Sequence, residues 1–111
     1  MRRLTVLPLL ALAACHGAGR YAEAKALIAS HCAACHTVPG VPGAAGKVGP
    51  SLAGVAGRQI IAGRFTNNRT TMVRWIMHPQ QMAPGTAMPE MGLTQDQATQ
   101  IAGYLYTLDK P

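Results

Sequence analysis

The sequence predicts a small all-α domain in which three main helices are joined by long loops rich in glycine and proline. Three observations point there. Apolar residues recur at helical spacing from Tyr21 and again after Thr94; no stretch alternates with the two-residue period of a strand; and Pro39 to Gly63 holds ten Gly or Pro in twenty-five residues. So long an irregular segment in a chain of 111 residues is expected to wrap something. With one Phe, one Trp and three Tyr, the core is short of the rings that normally fill it, and a bound planar group would supply that bulk.

The N-terminus reads as an address label. Met1-Arg2-Arg3 is a basic start, and Leu4 to Ala14 is an apolar run of eleven residues, well short of the roughly 20 that span a bilayer. The run ends in Leu12-Ala13-Ala14-Cys15, which resembles the lipobox of bacterial lipoproteins, where the cysteine is acylated and becomes the new N-terminus. Ordinary cleavage nearby would leave Cys15 a reactive thiol in an exported chain; acylation removes that liability. The expected organisation is therefore a lipoprotein-type signal over 1–14, a short tether over 15–20 carrying lipidated Cys15, and one domain over 21–111. That leaves fewer than a hundred residues, a size at which an apolar core alone is only marginally sufficient.

Within the domain, Tyr21, Ala24, Leu27 and Ile28 share a helical face in an alanine-rich stretch, which predicts a first helix from Tyr21 to about Cys35. The Gly/Pro-rich segment follows and excludes a long regular element. A second helix is expected from about Thr70 to Met77, stopped by Pro79. Thr94-Gln95-Asp96-Gln97 is a capping-box pattern that opens the last helix, with Ala98, Ile101, Ala102, Leu105 and Leu108 as its apolar stripe.

The stretch Cys32-Ala33-Ala34-Cys35-His36 has three readings: a thiol redox pair, half of a zinc site, or covalent haem attachment. A structural zinc needs four ligands, and neither a second close cysteine pair nor a close histidine pair follows Cys35. A thioredoxin-like pair belongs at a strand-to-helix junction, and no strands are foreseen. Haem attachment needs only what is present. Two thiols at this spacing add across two vinyl groups of one porphyrin, and the adjacent imidazole becomes an axial iron ligand. A lone CxxCH arises by chance, so a second iron ligand is the test. Six methionines are available, and methionine ordinarily fills gaps in cores.

Four motifs in order make the match specific: Cys32-Ala33-Ala34-Cys35-His36; Gly49-Pro50-Ser51-Leu52-Ala53-Gly54; Gly57-Arg58; and Trp75 through Pro79 to Pro84-Gly85-Thr86-Ala87-Met88. In these the chain resembles the class I cytochromes c over nearly all of Tyr21 to Leu108. The resemblance implies a small cytochrome c fold around one covalently bound haem c. It implies thioether bonds from Cys32 and Cys35, with His36 as proximal and Met88 as distal axial ligand. Pro50 matches the proline whose carbonyl accepts a hydrogen bond from the ligand histidine, Arg58 a position near a haem propionate, and Trp75 an aromatic position beside the haem. No second tryptophan is present for the propionates, for which Asn67 and Asn68 are candidates. Met91 is the rival to Met88. His78 would give a bis-histidine site but leave the Met88 loop unexplained, and His31 is expected to play a surface or local hydrogen-bonding role.

The implied chemistry is electron transfer, with both axial positions filled and no paired carboxylates, activated serine or phosphate-cradling loop to suggest an enzyme or a small-molecule substrate. Once Arg2 and Arg3 leave with the signal, eight basic side chains face four acidic ones, a formal net charge of +4 with neutral histidine. Lys47, Arg58, Arg64, Arg69 and Arg74 are expected to steer a redox partner with an acidic docking surface. They are not clustered as a nucleic-acid patch. The leading expectation is an exported electron carrier, lipid-anchored at the periplasmic face of a bacterial membrane and serving a respiratory or redox chain. The alternative is a fixed electron-accepting cytochrome subunit of a periplasmic dehydrogenase or oxidase complex.

Overall fold

The computed structural model describes residues 19–111, so the expected signal and Cys15 lie outside the described residues. The chain forms α1 (Ala22–His31), a 3₁₀ turn (Val55–Gly57), a hairpin of β1 (Ile60–Ile61) and β2 (Phe65–Thr66), then α2 (Arg69–Met77), α3 (Pro79–Met82) and α4 (Gln95–Leu105). No helix among the described residues is long and apolar enough to cross a membrane. The mostly helical architecture is the one expected, with two additions: the short hairpin and the single turn of α3.

The last helix organises the rest, because α1 and α2 both pack against it. Its N-terminus is closed as the sequence foretells. The Thr94 hydroxyl accepts from Gln97 N, and the Gln97 side chain accepts from Thr94 N. Ala98, Ile101, Ala102 and Leu105 are buried on one stripe, joined by Tyr104. Leu108 lies beyond the helix end and is partly buried. From α1 come buried Ala24 and Ile28, one turn apart, and from α2 buried Met72 and Ile76 at the same spacing. Each fully buried isoleucine contributes about 1.5–3 kcal/mol relative to exposure.

Tyr104 ties this core to the first loop. Its ring meets Tyr21 edge-on with centroids 5.6 Å apart, and its hydroxyl donates to the Pro39 carbonyl at 2.5 Å, across 65 residues of sequence. A side chain at Gly40 would strike that hydroxyl, and Gly40 also holds φ +79°, so glycine is required there twice over. The loop itself buries Val38, Val41 and Ala44, which explains how a segment so rich in Gly and Pro stays ordered.

Helix α1 ends at His31, earlier than the expected Cys35. The Ile28 carbonyl accepts from both Cys32 N and Ala33 N, and the Cys32 carbonyl accepts from both Cys35 N and His36 N. These shared acceptors turn the ladder into a tight bend. Two side chains of the last turn bond back to carbonyls one turn earlier, Ser30 Oγ donating to Ala26 O and His31 Nδ1 bonded to Leu27 O. Helix α2 starts at Arg69, capped by Asn68, whose side chain accepts from Thr71 N at 2.8 Å. Pro79 ends the reach of α2 and also opens α3 at its first position, where a missing N–H costs nothing.

Candidate functional site

A cavity of about 560 Å³ opens between these elements, lined mainly by apolar side chains. Cys32, Cys35 and His36 line it from the turn after α1, and Met88 from the loop after α3. Ile28, Met72, Ile76, Ile101 and Leu105 bring the apolar faces of α1, α2 and α4 to the same space. Pro50, Arg58 and Trp75 also line it, so all the site residues expected within the described region share one cavity. At its edge stand Val48 and Ile60, 75 % and 53 % exposed, the large apolar side chains left most open to solvent.

The turn is held by the loop that follows. Gly46 N donates to the carbonyls of Ala33 and His36, and Gly49 N donates to Cys35 O at 2.7 Å. The fit is close enough to dictate glycine. A Cβ on Gly46 would lie 2.5 Å from the Ala34 carbonyl carbon, and one on Gly49 would lie 2.8 Å from His36 Nδ1 and 2.9 Å from Nε2. His36 Nδ1 is 2.7 Å from the Pro50 carbonyl. A carbonyl only accepts, so Nδ1 carries the proton and Nε2 keeps its lone pair for a metal.

The thiols are not set up for redox exchange. Cys32 and Cys35 are not joined to each other. Burial, with Cys35 adding to it, pushes the Cys32 thiol up to about 11, whereas a reactive redox cysteine needs a lowered value. Among the described residues no three His, Cys, Asp or Glu side chains gather as a metal cluster, so the cysteines lack the partners of a structural zinc site. Two thiols, one preset imidazole, a thioether and an apolar wall are the donor set a haem requires.

Other residues fall into place around it. Trp75 packs against Phe65 at 5.8 Å between centroids. Arg58 is anchored by Nη2 donating to the carbonyls of Ser51 (2.6 Å) and Ala53 (3.1 Å). Asn67 is committed within the protein: its Nδ2 donates to Val55 O and Arg58 O, and its Oδ1 accepts from Tyr106 OH. The Nδ2 donors of Asn67 are thus already used, whereas Asn68 caps α2 through its Oδ1 alone. His78 stands outside the cavity, in a separate depression with Arg69 and Arg74, while His31 reaches the cavity edge and is exposed. Met91 lines the cavity as Met88 does. Sequence reasoning missed the steric demand at Gly49, although Gly49-Pro50 stood within a quoted motif, and it missed Gln80 altogether. The Gln80 side chain bonds the backbone of the Met88 loop, a contact without local signature.

Comparison with known proteins agrees. The family model described as Cytochrome c matches residues 21–109. A cytochrome c of Nigella damascena is 33 % identical over 101 aligned positions, covering 79 % of this chain and 89 % of the relative. The chain therefore belongs to the cytochrome c family, whose members transfer electrons on haem, and its cofactor is one covalently bound haem c.

Proposed function

We propose that the protein is a lipid-tethered, single-haem electron carrier at the periplasmic face of a bacterial membrane, working in a respiratory or other redox chain. The convergence of Cys32, Cys35, His36 and Met88 on one apolar cavity carries the reading of the site. Haem bound there supplies a one-electron couple. Cys32 and Cys35 would hold the porphyrin by thioethers. His36 offers Nε2 to the iron while Pro50 O fixes its tautomer and raises its basicity. Met88 would supply the second protein ligand to the iron through a soft sulfur that favours the ferrous state. Arg58 supplies positive charge at the cavity, and Trp75 an aromatic wall.

Exposed Val48 and Ile60 at the cavity edge have Lys47, Arg58 and Arg64 nearby in sequence, all exposed. This combination supports docking of a redox partner with an acidic surface, steered by charge and seated on apolar side chains. The expected lipid on Cys15 is separated from α1 by about six residues, a reach of at most ~20 Å, so the domain stays near its membrane. The acyl chains contribute ~0.8 kcal/mol of attachment per buried CH₂.

Two measurements test the assignment. Cys15→Ser is expected to block incorporation of labelled fatty acid and the coupled processing of the signal; recovery of the same labelled, processed protein removes the tether. Purification from detergent-solubilised membranes is expected to yield the cytochrome without a stoichiometric partner, and a stable partner enzyme would instead make it a fixed subunit.

A further inference from the structure

We propose that Gln80 is the positioning residue that holds the Met88 loop closed, and that it controls exchange of the distal ligand; the proposal rests on Met88 being that ligand. Every polar atom of the Gln80 side chain is used on one short segment. Nε2 donates to Thr86 O at 2.6 Å and to Met88 O at 2.9 Å, and Oε1 accepts from Gly85 N at 3.2 Å. On the other side of Met88 a side chain is tied as well, because Gln80 N donates to Glu90 Oε1 at 3.0 Å.

Little else holds this segment. Among the described residues, the single backbone–backbone hydrogen bond made by residues 84–91 is Thr86 N to Ala83 O. The loop thus lacks a ladder of its own and borrows its shape from one side chain on α3. That helix is itself seated by Pro79, one of the most deeply buried side chains. Gln80 and Met88 are half-buried, so these bonds are shielded from competing water more than surface bonds are.

A protein ligand on a loop with two arrangements, closed on the iron or swung away, gives an external ligand an apparent affinity scaled by the open fraction. Removing the two Gln80 donors raises that fraction while leaving Cys32, Cys35 and His36 untouched. The bland alternative is that Gln80 stabilises the fold in general, and the two differ in what they do to ligand exchange.

The test uses ferric holoprotein titrated with imidazole, following loss of the weak long-wavelength band of the iron–thioether bond. Gln80→Leu, similar in size and without polar atoms, is expected to bind imidazole roughly tenfold more tightly than the wild type, ~1.4 kcal/mol, while keeping covalent haem. Gln80→Glu keeps the acceptor for Gly85 N but loses both donors. It is expected to move the same way and serves as the deciding variant should Gln80→Leu yield no holoprotein. Thr94→Ala is the control for general destabilisation, since it breaks the α4 capping box and none of the Gln80 bonds, and its imidazole affinity is expected to match the wild type. Unchanged affinity in the Gln80 variants, or an equal rise in Thr94→Ala, overturns the clamp. Persistence of the band in Met88→Ala would instead overturn the ligand assignment on which it rests, so the two failures are told apart.

Discussion

Replacing Cys32 and Cys35 together by alanine is expected to yield a protein with no haem retained after denaturation and with most of its helical structure lost. The cavity explains the size of the effect. Ile28, Met72, Ile76, Ile101 and Leu105 belong both to the packed core and to the cavity wall, so α1, α2 and α4 meet partly through whatever fills that space. At about 24 cal/mol per Å³, an unfilled 560 Å³ would cost up to ~13 kcal/mol. The cavity is open to solvent and can collapse, which makes that figure a ceiling. It nevertheless rivals the about 5–15 kcal/mol of net stability a domain possesses. Haem staining after denaturing electrophoresis and far-ultraviolet circular dichroism check the two halves of the prediction. Covalent haem in the double variant, or a well-folded colourless wild type, would remove the attachment reading.

Met88→Ala has the second large effect. The iron–thioether charge-transfer band is expected to disappear, and the reduction potential to fall on the order of a few tenths of a volt, because axial ligands set haem potentials over a wide range. Haem stays attached, since Cys32 and Cys35 are untouched, and an open iron position binds carbon monoxide readily. Met91→Ala is the matched comparison. Both methionines line the cavity, but the backbone of Met88 is the one held by Gln80. Optical titration and voltammetry of the pair decide between them. Loss of the band in Met91→Ala with retention in Met88→Ala would reassign the ligand to Met91. Retention in both would point to the sulfur of another methionine, and absence of the band from the wild type would direct attention to His78, although that side chain stands outside the cavity.

The sequence disclosed most about features whose determinants are local. The capping box of Thr94 and Gln97 and the stripe from Ala98 to Leu105 lie within one helix, and both stand as expected. The CxxCH turn is likewise a short stretch with its chemistry written in residue order. The end of α1 was less legible, because alanines continue past His31 and the stop comes from carbonyls shared within the turn and from Gly46 returning to Ala33. The hairpin carried no readable signal. Its turn passes through Ala62 at φ +52° and Gly63 at φ +73°, without the Asn-Gly pair that marks tight hairpins. Pro79 was read as a stop and is also a start, which depends on the chain resuming helical geometry after His78. Gln80 and Asn67 were beyond sequence reasoning for one common reason. Most of their partners are backbone atoms that folding brings near, and backbone atoms have no signature in residue identity.

The contact of the first helix with the last also sets an order of manufacture. Ala24 and Ile28 find their full packing only after α4 has been made, and the hydroxyl of Tyr104 reaches Pro39 across 65 residues of chain. Contacts of such separation require both ends of the domain to be present. A chain produced from its N-terminus therefore displays Cys32 to His36 as a linear, accessible pentapeptide through most of its synthesis. Both thiols lie within those five consecutive residues, so they are present before the pocket is complete. Substitutions in α4 should then alter how firmly the finished protein encloses its haem, while the choice of which cysteines receive it is already written in the early part of the chain.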